Sequence, residues 1–286
     1  MKPSSSRVIR QARGAGSWFP SDRDTLRTMV DGFIEAAKPA AMGGRIAGAI
    51  APHAGFMYSG GVAGFVFRAL KNNAEAGHRP ELVVIIGACH RTAFTGVALM
   101  DGNAIETPLG EAELDAAAAA EMVKDRSRIF FDYSPHRGEH SAENQIPFAQ
   151  RALPGTKLVV GLTGDLDPAT IRDLVSALAE LAEKQRTVVV ASSDMLHHPD
   201  YKLVGRTDRE TLAKVEAMDH AAILKQWNGS RQTFCGIAPV ISAMKFAETQ
   251  GCKRGTVLHY RNSGDDFPES RGEWVVGYGA VVFAVP

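Results

Sequence analysis

Cysteine is scarce in this chain of 286 residues; only Cys89, Cys235 and Cys252 occur, far apart in sequence. Three scattered thiols make no disulfide framework and suit a reducing compartment, so a cytoplasmic protein is expected. No Cys-x-x-Cys pair exists, which argues against a structural zinc site. Charge of one sign is missing too. Lys plus Arg and Asp plus Glu both number 32, for a formal net charge of zero, and that balance predicts neither a nucleic acid nor an anionic membrane as partner. No run approaches the roughly 18 apolar residues of a membrane span. The opening "MKPSSSRVIRQARGAGSWFP" lacks the apolar centre of a secretory signal. Also absent are the phosphate-binding loop of P-loop proteins, the dinucleotide fingerprint and the Gly-x-Ser-x-Gly elbow.

What the chain does have is alternation of apolar strands with amphipathic helices. "RIAGAI", "ELVVIIG", "GVALM", "TKLVVGLTG" and "RTVVVASSD" read as strands, and "GTVLHYRNSG" and "EWVVGYGAVVFAV" close the chain as two more. Between them, Leu26, Met29, Val30, Phe33 and Ile34 recur at helical spacing, with Ser21 and Asp24 as a capping-box-like start. "GVAGFVFRAL", Leu114 to Val123, "AENQIPFAQRAL", "DPATIRDLVSALAELAEK", Arg206 to Gly229 and Gly236 to Gln250 read as further helices. Asp167 is the expected cap of the fourth of these six, with Pro168 in its first turn. Strands apolar on both faces imply a mostly parallel sheet covered by helices on both sides. The expected fold is therefore α/β and single-domain over residues 1–286, with residues 1–9 as a poorly ordered tail and the last two strands as an antiparallel addition.

Polar residues then gather at strand ends. His53 follows "RIAGAI", Cys89 and His90 follow "ELVVIIG", and Asp194, His197 and His198 follow "RTVVVASS". In open α/β sheets ligands sit outside the carboxyl ends of parallel strands, so three strands deliver imidazoles or a carboxylate to one edge. Of the pair at 197–198, one is expected to work and the other to be its neighbour. "RGEHSAENQIPF" sets His140 and Glu143 three apart, on one face if helical, with Ser141 as a competing cap. "TFCGIAPV" puts Cys235 at a helix start, where the dipole favours a thiolate, although a thiol packed beneath the helix has the same sequence. His78, His220 and His259 lack polar company and are assigned to structure or surface.

Taken in order, "GAGSWFP", "IAPHAGFMYSG", "IGACH", "EHSAENQIPF", "SSDMLHH" and "FCGIAPV" closely resemble the Memo family, the group named AmmeMemoRadiSam system protein B, from about Arg10 to the final strand. The resemblance implies a fold similar to class III extradiol dioxygenases, which use non-haem iron. Carried over residue by residue, it implies metal binding by His53, His90 and Cys235, with His140, Glu143, Asp194 and His197 as the other polar pocket positions. The Memo pattern has cysteine where those dioxygenases have glutamate, and this chain keeps the cysteine. A thiolate beside two imidazoles suits Fe(II) or copper first and Zn(II) next. Chemistry suggests His197 as general acid–base, Asp194 orienting it, His140 bonding a bound oxygen species and Glu143 supporting from behind. The expectation is a non-haem, metal-dependent oxidoreductase of unknown substrate. The competing expectations are an adaptor whose pocket takes a peptide side chain, and a metal-sequestering protein. The family's name adds radical-SAM pathway proteins as expected partners.

Overall fold

Leu82–Ala88 contains no charged side chain, and a strand of that kind is stable only with both faces covered. The structure, a computed structural model, describes residues 7–228 and 232–286. In it Leu82–Ala88 runs parallel to Lys157–Thr163 on one side and to Thr187–Ser192 on the other. Thr187–Ser192 pairs in turn, again parallel, with Arg45–Ala51. Side chains alternate between the two faces. Leu82, Val84 and Ile86 enter one apolar cluster with Leu174, Leu178 and Ile241, while Val83 and Ile85 enter another with Val30, Val66 and Phe148. Helices Pro168–Lys184 and Ile237–Thr249 cover the first face; Arg23–Ala36, Phe56–Asn73 and Ile146–Ala152 cover the second.

The sheet is α/β in type but mixed, not mostly parallel. Val97–Leu99 lies antiparallel to Lys157–Thr163, with Ile129–Phe131 outside it. On the other flank Val275–Val285 is antiparallel to Arg45–Ala51, and Gly255–Asn262 and His197–His198 are antiparallel to Val275–Val285. The closing pair is thus antiparallel as expected, but so is the opposite flank. A separate small sheet joins Ile9–Gln11, Ala104–Thr107 and Gly110–Glu113. Residue 9 therefore belongs to a strand and not to the expected tail, whose residues 1–6 lie outside the described ones. No described helix is long and apolar enough to cross a membrane.

Other expectations shift locally. The first helix is capped by Asp22, whose Oδ1 accepts from Thr25 N at 2.8 Å, and not by Ser21. The long helix expected from Arg206 splits into Tyr201–Glu216 and His220–Gln226. Met218 has φ 57 between them, a conformation that ends a helix, and Asp219 caps the second piece. The expected end at Gly229 lies outside the described residues. Pro147 stands in the first turn of Ile146–Ala152, after a short 3₁₀ turn over Glu143–Gln145. Asp167 caps Pro168–Lys184 as expected.

Arg23–Ala36 and Phe56–Asn73 pack closely because glycine lies between them. A Cβ on Gly64 would stand 2.5 Å from Phe33 O, and one on Gly60 would stand 2.3 Å from the Phe33 ring. Gly32, on the same first helix, has nothing within 4 Å of its Cβ position. Gly64→Ala is expected to destabilise the fold by about 1–3 kcal/mol, since the backbones must part. Gly32→Ala should instead be neutral or stabilising by up to about 1 kcal/mol. Urea midpoints of the two variants check the opposite signs.

Candidate metal centre

Parallel register brings three strand ends to one level, and the residues after them converge. His53 lies two residues beyond Arg45–Ala51, His90 two beyond Leu82–Ala88, and Asp194 two beyond Thr187–Ser192. Ring centroids of His53 and His90 are 5.3 Å apart, those of His53 and His140 5.2 Å, and those of His90 and His140 5.5 Å. One nitrogen from each of the three lies within 4.8 Å of the others, close enough to share an ion. Cys235 Sγ is 3.2 Å from His53 Nε2. The expected ligands His53, His90 and Cys235 are thus brought together, and His140, expected only as a pocket residue, stands among them.

Neighbouring groups fix which nitrogens face inward. Ser192 has one hydroxyl hydrogen, which it donates to Ser141 O. It also accepts from Gln145 Nε2 at 2.8 Å, so the His53 Nδ1 at 3.2 Å must be its second donor. That assignment leaves His53 Nε2 directed at Cys235. His90 Nδ1 is held likewise by Glu139 Oε1 at 3.1 Å. His140 is stacked on Trp18 at 3.5 Å and 3°. Its buried Nδ1 has no hydrogen-bond partner among the described residues; Glu139 Oε1 lies 3.3 Å away without hydrogen-bonding geometry.

Electrostatics favour an ion pair in the metal-free site. Burial opposes the Cys235 thiolate, but the charge and hydrogen bond of His53, with the hydrogen bond of His90, bring the thiol down to about 5. Burial also opposes the His53 imidazolium, yet Cys235 and Asp194 raise it to about 9. Hydrogen bonds to Cys235 and Glu139 raise His90 to about 10. His140 goes the other way. Burial and the charges of its two neighbours lower it to about 3, so it stays neutral.

Asp194 acts on the loop that carries His53. Its Oδ1 accepts from His53 N at 2.7 Å and Ala54 N at 3.2 Å, and its carbonyl accepts from Cys235 N. It was expected to orient His197, but no described hydrogen bond joins the two. His197 pairs in a short strand with Val276, and its ring stands 6.1 Å from Trp274. No described ring contact joins it to the three clustered histidines. Glu143 does not share a helical face with His140, because His140 precedes the helix. Glu143 instead accepts from Arg13 N at 2.9 Å and from Gly14 N, and so anchors the segment that presents Trp18. Ser141 is no cap; its hydroxyl donates to Ala88 O.

The residue sequence reasoning missed is Glu139. It is 4 % exposed and accepts from His90 N at 2.7 Å and from His140 N and Ser141 N at 2.9 Å. Those donors and His90 bring its carboxyl well below the usual range despite burial. The only hint was its place directly before His140. Asn144 and Gln145 were also missed; they donate to His53 O at 2.7 Å and Pro52 O at 2.9 Å. Gly236 N donates to Ser193 Oγ at 2.9 Å, which seats the helix after Cys235.

Comparison with known proteins agrees with the motif order. The sequence model described as Memo-like protein matches residues 10–282. A MEMO1 family protein of Methanopyrus kandleri is 32% identical over 282 residues, covering 94% of this chain and 96% of its own. Another, of Nitrosopumilus maritimus, is 30% identical and covers 96% and 100%. Among solved structures, an uncharacterized protein from Escherichia coli K12 superposes with a TM-score of 0.53 at 14% identity. It covers 84% of this chain and 100% of its own, a likeness of fold alone.

Two outcomes are expected of metal-free protein. Iodoacetamide labelling of the Cys235 peptide should have its pH midpoint near 5, and so be almost flat from pH 6 to 8. An ordinary thiol would gain about tenfold per pH unit below its pKa of about 8.5. In His53→Gln the midpoint should move upward, as read by peptide mass spectrometry. Separately, Glu139→Ala should weaken metal binding by about 10–100-fold, the usual effect of removing a carboxylate behind a ligand histidine; competition with a chelator measures it.

Proposed function

This chain belongs to the Memo-like protein family, and from its site we propose that it is a metal-dependent oxidoreductase whose metal is held by His53, His90 and Cys235. Fe(II) or copper is the proposed metal, ahead of Zn(II), because two imidazoles and one thiolate form a borderline-soft donor set. The carrying observation is the convergence of His53, His90 and His140 within 4.8 Å, with Cys235 Sγ 3.2 Å from His53 Nε2. The donors fit an ion in charge as well as position. Both Nδ1 atoms of His53 and His90 are engaged from outside, and a buried His140 nitrogen lacks any described partner. A bound metal would supply a Lewis-acidic, redox-active centre with positions open to oxygen or substrate.

The chain's own residues would do the rest. His140, neutral at working pH, can donate or accept a hydrogen bond at a ligand beside His53 and His90. Trp18 covers one face of His140 and keeps water from that side. Asp194 and Glu139 hold the loops of His53 and His90 by their backbone N–H groups. His197, whose Nε2 is buried without a described partner, is the proposed proton carrier. Kinship with class III extradiol dioxygenases and a place beside radical-SAM partners belong to the same reading. The substrate class stays open between a small molecule and a peptide side chain.

Anaerobic purification followed by elemental analysis tests the ligand set. Wild type should carry near-stoichiometric iron or copper, with the metal lost in both His53→Ala and Cys235→Ser. Equal metal in all three, or none after reconstitution, would overturn the assignment. Oxygen uptake then decides the chemistry. A metal-replete protein that never consumes oxygen with any reductant or candidate substrate would instead be a metal-sequestering or peptide-binding protein.

A further inference from the structure

A sizeable concavity lies away from the metal centre. It is a groove of about 930 Å³ on the face covered by helices Pro168–Lys184, His220–Gln226 and Ile237–Thr249. Its wall is apolar, formed by Leu166, Ile171, Val175 and Leu224, side chains that pack on the core from one side and face the groove with the other. That volume and lining are those of a site for a small organic molecule.

Charge decides which molecule. Three ionisable side chains also line the groove: Arg172, Lys245 and Glu248. Glu248 Oε2 lies 3.4 Å from His220 Nε2, an ion pair only when His220 is protonated. Asp173, next to Arg172 in sequence, makes no ion pair with it among the described residues, and Asp167 is held by Arg128 at 3.0 Å and feels Arg172 only through longer-range attraction. Neither Arg172 nor Lys245 has a hydrogen bond or ion pair among the described residues. Lys245 is half-buried, so its stem is packed while its ammonium lacks an anion. An apolar groove lined by two unpaired cations against one acid is complementary to a ligand with an apolar body and one negative head.

We propose that this groove binds an amphipathic organic anion, a monocarboxylate with a medium-length alkyl or aryl tail. The carboxylate answers Arg172 and Lys245, and the tail covers Ile171, Val175 and Leu224. The site shares no lining residue with the metal centre, so it stands whether or not the metal reading does.

Isothermal titration of the full chain with octanoate tests the proposal, with octanamide as the uncharged match and butyrate as the short one. Saturable sub-millimolar binding of octanoate is expected, with octanamide and butyrate each weaker by about tenfold or more. Lys245→Met and Arg172→Gln should each lower octanoate affinity by about threefold to tenfold while melting temperature and metal content stay unchanged. No saturable binding, equal binding of octanamide, or full affinity in both variants would overturn it. So would sedimentation showing a dimer that Val175→Arg dissolves, since the groove would then be the contact between two copies.

Discussion

A parallel ladder stops all its strands at one edge, and their last backbone groups must be satisfied there without further ladder bonds. In this chain that constraint builds the site. The segment Glu139–Gln145 crosses the ends of three strands and supplies what they lack. Gln145 donates to Pro52 O, Asn144 to His53 O, and Ser141 to Ala88 O. Asp194 takes the N–H groups of His53 and Ala54. Each of these bonds closes a strand end, and each also fixes the loop on which a histidine stands. Structural satisfaction and ligand placement are therefore the same set of contacts, so loss of Glu139 or Asp194 would expose buried N–H groups as well as loosen the site.

The charge inside the site follows from the same arrangement. Cys235, His53 and His90 would each be costly to bury alone in ionised form. Together they exchange protons, thiolate against imidazolium, and Glu139 balances His90 from outside. A metal ion needs the thiolate and neutral imidazoles, so binding one expels the protons that the metal-free protein holds on His53 and His90. Affinity must then rise with pH until those protons are gone. His140 is outside this exchange. Stacked on Trp18 and beside two cationic rings, it carries no imidazolium proton for a metal to expel at working pH.

The centre of the fold was legible because its strands are long and apolar on both faces, a pattern few other structures satisfy. Four of them, from Arg45–Ala51 to Lys157–Thr163, lie where the sequence puts them. The flanks were legible only in part, through the closing antiparallel pair. Ile9–Gln11 and Ile129–Phe131 are three residues each, too short to show a period, and their pairing depends on partners far along the chain. The antiparallel direction of Val97–Leu99 leaves no mark in its composition. At the site, His53 and His90 were visible as polar residues where apolar runs stop, whereas Cys235 stood at a helix start and its place among the ligands came from the family resemblance. Glu139 was not, because its main partner His90 lies 49 residues away. Glu143 drew attention by its spacing from His140, and spacing counts only on a helix, which that segment does not form.

Glu143 shows how the N-terminal segment becomes part of the site. Its carboxylate accepts from Arg13 N and Gly14 N, and Trp18 N donates to Gly14 O at 2.7 Å. The Trp18 carbonyl accepts from Phe56 N, at the start of the helix that follows His53. A chain of backbone bonds thus runs from a buried acid, through a turn, to the indole on His140. Burial raises the Glu143 carboxyl above its ordinary value while the two N–H groups oppose that. Gly14 has to be glycine for this path, since a Cβ there would stand 2.8 Å from the Phe19 ring. The orientation of His140 is accordingly set from a stretch of sequence more than a hundred residues away, by contacts that no local pattern around His140 could reveal.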